Sequence, residues 1–170
     1  MTPYSRNGVS VGTRPPFWKT RLLIVTLSTV GFVSCASQPP MGARGRVVVS
    51  IDPDPIVGFP VSGGWEFPFL LEIQEVGGVD VDLERVSIRV FLSGTKLYEV
   101  SMKAEDLDEM GYETALVAGT AVFYHFEPWQ VVPNPTLLSR VVVELEISGR
   151  DGFGRGVKAI REVNLVAAGF

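Results

Sequence analysis

The chain has 170 residues, enough for one ordinary domain with an apolar core and too few for two. Hydrophobic residues make up 46% and charged residues 20%, close to globular averages, which excludes intrinsic disorder for most of the length. The net charge is −4; from residue 35 onward, 11 basic residues stand against 19 acidic ones, a net charge of −8 that gives no electrostatic basis for binding nucleic acid.

Residues 1–34 have the three parts of a secretory signal peptide. Lys19 and Arg21 precede an apolar run over Leu22–Val33, and the small residue Ser34 follows it. The run is twelve residues long, whereas a helix that crosses the hydrocarbon core of a bilayer needs about 20, so a permanent span is not expected. We therefore predict an N-terminal signal helix that is removed on export.

The only cysteine of the chain, Cys35, directly follows this run in the sequence Phe-Val-Ser-Cys. This segment resembles the processing box of bacterial lipoproteins. The resemblance implies a covalent lipid on Cys35 and a lipid-anchored protein of the cell envelope. Ala36 and Ser37 come next instead of an aspartate, which in that family favours the outer membrane where the organism has one. An ordinary cleaved signal with a free thiol, or an uncleaved leader, is the alternative.

The rest of the chain divides into a tether and a β-rich domain. Residues 35–45 are rich in small residues, Pro and Gly, and predict a flexible tether. Over residues 46–170 the apolar residues recur mainly with period two, the pattern of strands with one buried face. The run 65–74 is the strongest core strand, and five apolar side chains share its buried face: Trp65, Phe67, Phe69, Leu71 and Ile73.

About seven strands are expected, and short turns join most of them. Two pairs of strands have the pattern of hairpins, one closed at Ser93-Gly94 and one closed over residues 149–156 by a turn with four glycines. One short helical turn is predicted near 103–111, where acidic residues come first and a glycine last. Further strands are expected at 46–51 and 119–126. Segments 52–60 and 127–135 contain several prolines, so an extended edge is expected at 52–60 and a loop at 127–135.

This pattern predicts an all-β fold, an antiparallel two-sheet sandwich. The order of the elements and the turn Asp151–Gly154 resemble bacterial immunoglobulin-like domains, which implies that fold. With no cysteine pair available, the stability of the domain must come from packing. A small closed barrel is the competing architecture. The expected core consists of Trp65, Phe67, Phe69, Ile88, Val90, Phe123, Leu145 and Ile147.

Catalytic and metal-binding signatures are weak. His125 is the single histidine, and no serine lies in a nucleophile-elbow context, so His125 is interpreted as a polar ring on a strand rather than as a catalytic base. No cofactor is expected beyond the lipid. Calcium is the one metal considered, because it prefers oxygen ligands and several aspartates lie near strand ends: Asp52, Asp54, Asp80, Asp82 and Asp151. Turn-forming or solvated aspartates explain the same pattern.

The leading functional hypothesis is a non-catalytic, membrane-anchored binding or structural module with an envelope protein as partner. The first alternative is a carbohydrate- or peptidoglycan-binding module in which Trp129 and Tyr124 stack on sugars. Trp129 lies in an aromatic loop bordered by prolines, which could present a contact surface. Large aromatics bury most of their area, which favours Trp129 as a cap on one end of the sandwich. An exported enzyme or enzyme inhibitor is the third hypothesis.

Overall fold

The computed structural model describes residues 42–169; the signal segment and Cys35 lie outside the described residues. No helix within that range is long and apolar enough to cross a membrane. One α-helix, α1 (Ala104–Glu109), and one 3-10 helix (Pro135–Arg140) accompany eleven strands. The strands are β1 Val47–Asp52, β2 Ile56–Val61, β3 Gly64–Glu66, β4 Phe69–Glu75, β5 Val81–Leu92, β6 Thr95–Lys103, β7 Ala115–Leu116, β8 Ala121–Phe126, β9 Trp129–Gln130, β10 Val141–Asp151 and β11 Gly156–Ala167.

The strands form two sheets, which confirms the predicted all-β class and sandwich-like architecture. The smaller sheet has the order β1-β4-β8, and the larger has the order β6-β5-β10-β11-β2-β3-β9, with β7 paired to the start of β5. Apolar side chains from the facing sides of both sheets form one core, and Leu71, Ile73, Leu145 and Ile147 are fully buried in it. The alternation of buried and exposed residues along β10 is nearly complete, as the sequence predicted.

Two features of the strand arrangement differ from the prediction. The described residues contain eleven strands rather than about seven. Strand β2 forms in the segment predicted only as an extended edge, and β3, β7 and β9 have only two or three residues each and leave no periodic signal. The sandwich is also not wholly antiparallel. Strand β2 crosses to the larger sheet and pairs in parallel with the end of β11, with Leu165 opposite Ile56 and Ala167 opposite Gly58.

The predicted strand over residues 65–74 is interrupted at Phe67 and Pro68. A proline has no N–H to donate to a ladder, so β3 ends at Glu66 and β4 begins at Phe69. The five side chains predicted to share the buried face are nevertheless all buried, with relative exposures of 8% or less. The chain therefore keeps its inward alternation across the break.

The core prediction was wrong for Phe123. Strand β8 is apolar at successive positions, and its inward face carries Val122, Tyr124 and Phe126, which leaves Phe123 on the outer face with 56% exposure. Ile88 and Val90 are only partly buried, although they pack against the core. The predicted loop at 127–135 also contains the short strand β9, which pairs with β3.

The helix and both hairpins are confirmed. Helix α1 lies within the predicted 103–111 stretch, and the Asp106 carboxylate accepts a hydrogen bond from the backbone N–H of Lys103 at 2.8 Å. At the β5–β6 turn, Ser93 and Gly94 both have positive φ, 50° and 84°, as a tight two-residue hairpin requires. Strand β10 continues to Asp151, so the last turn is confined to residues 152–155.

Candidate functional site

An exposed apolar surface lies on the outer face of the short strands β2, β3 and β9. In these strands Phe59 is opposite Glu66, and Glu66 is opposite Trp129, so the three side chains form one row on the same face. Val61 lies on the same face, opposite Gly64. Phe59, Val61 and Trp129 are 45%, 39% and 49% exposed. We call Phe59, Val61, Glu66 and Trp129 the apical surface.

Gly64 allows the Trp129 indole to lie directly against the β2–β3 hairpin. A Cβ atom added to Gly64 would lie 2.7 Å from two atoms of the indole ring, and one added to Gly63 would lie 3.9 Å from it. The ring therefore lies against the bare backbone of the β2–β3 hairpin. Gly63 has a φ of 85°, which favours glycine independently of this contact. Trp129 thus contacts the end of the sandwich with one part of its ring, while about half of its surface stays exposed.

Glu66 lies between the two aromatic residues and is partly exposed. Its carboxylate accepts no hydrogen bond and forms no ion pair within residues 42–169. Beneath the row, Trp65 and Phe67 point into the core, and a Cβ on Gly58 would collide with the Phe67 ring. The backbone N–H of Phe67 also donates to the carbonyl of Pro128 at 2.9 Å, which extends the pairing of β3 with β9. The row is consequently held on a packed support.

The apical surface and the start of the domain lie at opposite ends of the sandwich. The N–H of Gly45 donates to the Asp151 carboxylate at 3.1 Å, which places residues 43–46 beside the turn that leads into β11. Strand β2 runs parallel to β11, and Gly58 of β2 lies opposite Ala167, the last residue of β11. The apical surface begins with the next residue of β2, Phe59, and so lies beyond the end of β11. Strand β11 has 12 residues, so its first and last Cα atoms are up to roughly 36 Å apart at about 3.3 Å for each step between residues.

Two buried carboxylates hold the start of the domain, and the sequence analysis missed the first of them. Glu75 is fully buried and accepts hydrogen bonds of 2.5–3.2 Å from four backbone N–H groups, those of Arg46, Gly77, Gly78 and Gly119. Burial alone would raise the pKa of Glu75, but these four donors outweigh it and lower the pKa below its ordinary value. Glu75 thereby joins the end of β4 to two turns and to the residue that precedes β1.

Asp151 has the equivalent role on the other sheet. Its two oxygens accept from the backbone N–H groups of Gly45, Phe153 and Arg155 and from the Arg155 guanidinium. Burial would raise the pKa of Asp151, but these donors lower it overall. Arg155 also donates to the carbonyl of Ala43 at 2.6 Å. Ala43 and Gly45, which the sequence assigned to the flexible tether, are therefore bound to the domain.

The structure does not bring the five candidate calcium ligands together. Asp151 uses its oxygens for the bonds just described, Asp54 forms an ion pair with Arg161, and Asp80 accepts from the N–H of Ala118 at 2.7 Å. Asp52 and Asp82 are exposed residues of β1 and β5. Within residues 42–169 no group of three or more His, Cys, Asp or Glu side chains is placed to hold a metal ion.

Tyr124 does not fit its predicted role in sugar binding. Its side chain is fully buried, and its hydroxyl donates to the carbonyl of Glu113 at 2.7 Å. The ring centroids of Tyr124 and Tyr112 are 4.6 Å apart. Burial raises the pKa of the Tyr124 hydroxyl. This residue belongs to the core because β8 turns its even-numbered residues inward. Trp129, the other predicted binding residue, remains accessible.

His125 lies on the exposed outer face of β8. Its Nε2 is 3.8 Å from a carboxylate oxygen of Glu127, and both side chains are at least half exposed. No serine, cysteine or threonine side chain within residues 42–169 forms a hydrogen bond with it. The arrangement has an acid beside an imidazole but lacks the nucleophile that a catalytic triad would need.

Charged side chains form a ladder across the outer face of the larger sheet. The Arg89 guanidinium on β5 contacts Glu99 on β6 at 2.9 Å, and Glu144 and Glu146 on β10 at 2.6 and 2.8 Å. Lys158 on β11 extends the ladder to Glu146 at 3.0 Å. Hydrogen bonds from Arg89 and then Lys158 lower the pKa of Glu146. The charged side chains of this face are therefore paired with one another.

Comparison with known proteins supports the fold alone. No protein-family model and no characterised protein sequence matches the chain. An X-ray structure of a Northeast Structural Genomics Consortium target is similar with a TM-score of 0.56 and 16% identity, over 73% of this chain and 88% of that one. A Bordetella pertussis protein assigned as ApaA has a TM-score of 0.54 and 14% identity, over 75% of this chain and 98% of its own. Both matches cover most of the other chain, so the described domain corresponds to a whole fold unit.

Proposed function

We propose that the protein is an exported lipoprotein, anchored through a lipid on Cys35, whose immunoglobulin-like domain is a non-catalytic binding module of the cell envelope. The division of the strands supports the immunoglobulin-like assignment. Strands β1, β4 and β8 lie in one sheet, and β5, β10 and β11 lie in the other. The immunoglobulin fold divides its strands in the same way: the first, second and fifth strands lie in one sheet, and the third, sixth and seventh lie in the other. Strands β2, β3 and β9 are additions that build the apical surface.

The main support for a binding role is the position of the apical surface. The chain enters the domain at the end held by Glu75 and Asp151, and the exposed aromatic row lies at the other end. A domain anchored through residue 35 would present that row away from the membrane surface. Aromatic residues exposed on a firm support are typical of binding sites.

The anchor and the binding surface require separate tests. Labelled palmitate should be incorporated into the wild-type protein and not into Cys35→Ser, and only the wild-type protein should sediment with membranes. Unlabelled wild-type protein that stays in the cytosol with its leader intact would contradict the proposed anchoring.

For the surface, the protein carrying Trp129→Ala should retain less envelope material than the wild type, whereas Phe123→Ala should retain the same amount. Phe123 is a matched control because it is an exposed aromatic residue on a different face. Equal retention by all three proteins would show that the apical surface does not bind the partner.

A further inference from the structure

We propose that the apical surface binds a glycan: a β-1,4-linked chain of neutral sugars lies along the row formed by Phe59, Glu66 and Trp129. This inference rests on the proposed function, since it names the ligand of the same surface. The two rings contact the apolar faces of two pyranoses, and the Glu66 carboxylate accepts hydrogen bonds from sugar hydroxyls. The contact involves no covalent step.

The spacing of the row fits two sugar units. Phe59, Glu66 and Trp129 are direct cross-strand neighbours on three adjacent strands. Adjacent strands are about 4.8 Å apart, so the Cα atoms of the two aromatic residues are separated by roughly 10 Å. A disaccharide unit of a β-1,4-linked chain has a similar length. Such a chain is a flat ribbon, which suits an open row of side chains better than a deep pocket does.

The Trp129 ring is positioned before any ligand arrives. Because Gly64 has no side chain, the indole lies against the hairpin backbone, and a methyl group at Gly64 would displace it. A ring held in this way loses little conformational freedom on binding, which favours stacking against a rigid sugar. Phe59 is likewise on a strand, on the face opposite the packed side chain of Trp65.

The central carboxylate distinguishes a glycan from a protein partner. The buried centres of protein interfaces are depleted in glutamate and aspartate, because a buried carboxylate needs compensating donors. Glu66 lies at the centre of this row, between two aromatic residues, and no donor within residues 42–169 satisfies it. Sugar hydroxyls supply such donors, while the C–H faces of the rings cover the aromatic side chains.

Charge favours neutral sugars. The chain from residue 35 onward has 11 basic and 19 acidic residues, so a strongly anionic polysaccharide would be repelled. The one charged side chain of the apical surface, Glu66, is acidic, and Glu127 precedes Trp129 by two residues. An anionic group would therefore meet like charge at this row.

The test uses the full-length protein in a detergent without a sugar headgroup, because such headgroups would compete. Titration calorimetry with the tetramers of β-1,4-linked N-acetylglucosamine and of β-1,4-linked glucose should give saturable binding of at least one. Trp129→Ala should weaken that binding by roughly tenfold or more, Phe59→Ala and Glu66→Ala should each weaken it severalfold, and Phe123→Ala should leave it unchanged. The Trp129 fluorescence should shift on binding in the wild type and not in Trp129→Phe.

The variants should fold, because Phe59 and Trp129 are about half exposed and Glu66 is partly exposed; equal urea midpoints would confirm that. Absence of binding to both tetramers, or binding that survives Trp129→Ala, overturns the glycan proposal. If an envelope protein is retained through Trp129 while neither tetramer binds, the glycan proposal fails and the proposed function stands. If wild-type and Trp129→Ala proteins retain the same envelope material, the apical surface is not the binding site, and the proposed binding function of that surface is contradicted.

Discussion

Removal of the Glu75 carboxylate should destabilise the domain more than the loss of any exposed acidic residue. The two Glu75 oxygens divide four backbone donors evenly: one accepts from Arg46 and Gly77, and the other from Gly78 and Gly119. In Glu75→Ala all four N–H groups lose their acceptor. These donors belong to two turns and to the residue before β1, so three separate segments lose a common partner.

The magnitude follows from the net value of a hydrogen bond in a folded protein. Each bond contributes about 0.5–1.5 kcal/mol, so four bonds contribute on the order of 2–6 kcal/mol, and water can reach the turn donors once the side chain is gone. We expect a loss of about 3 kcal/mol in the free energy of unfolding for Glu75→Ala. Glu75→Gln keeps one acceptor oxygen and should lose about half as much.

The measurement is urea unfolding at neutral pH, with Glu72→Gln as the control. Glu72 is on the same strand but is more exposed, and its carboxylate accepts a hydrogen bond from the Ser50 hydroxyl at 2.7 Å. Hydrogen exchange should also show faster exchange at Arg46, Gly77, Gly78 and Gly119 in the alanine variant. A loss equal to that of the control, with unchanged exchange at these four amides, would refute the role assigned to Glu75.

The pH dependence has a definite sign. The ordinary pKa of the Glu75 carboxyl is 4.5, and its pKa is lower in the folded protein. Its contribution to stability is therefore complete above about pH 4.5 and is lost as the pH falls through the lower folded pKa. The difference in stability between wild type and Glu75→Gln should shrink on acidification below pH 4.5. A constant difference down to pH 3 would contradict this assignment.

Two further predictions concern the core and the charged ladder. Tyr124→Phe should lower the free energy of unfolding by about 1 kcal/mol in urea unfolding, because the hydrogen bond from the buried Tyr124 hydroxyl to the Glu113 carbonyl is lost, and a stability equal to the wild type would contradict that bond. Arg89→Met should lower the thermal midpoint most at low salt, because Glu99, Glu144 and Glu146 then repel one another without their shared cation; an effect independent of salt would argue against an electrostatic origin.

Local patterns in the sequence were sufficient for the long strands and tight turns. Alternation predicted the buried faces of β4 and β10, because one side of each strand meets the core and the other meets water. The Ser93-Gly94 turn was predicted because a two-residue hairpin turn needs positive φ, which glycine adopts readily. The same rule could not assign Phe123, since β8 is apolar on both faces and only its pairing with β4 decides which side is buried.

The apical surface depends on pairings that a local pattern does not contain. Its strands have two to six residues, and β9 joins β3 from more than 60 positions along the chain. The sequence drew attention to Trp129 but not to Phe59 or Glu66, because their common row exists only when three strands align. The glycines at 63 and 64 were a usable signal: two in succession before Trp65 suggest a close approach by another group.

Carboxylates in this protein differ in role according to the number of donors around them, which the sequence does not show. Asp151 and Glu75 each accept four hydrogen bonds from surrounding groups, so they have little capacity left for a ligand, and both hold the start of the domain in place. Within residues 42–169 Glu66 accepts no hydrogen bond, although it too lies on a strand. A carboxylate with free acceptor capacity between two exposed rings can bind a hydroxyl-rich ligand at no cost to the fold. Among these three carboxylates, Glu66 is therefore the one whose removal should weaken binding, by the severalfold loss expected for Glu66→Ala.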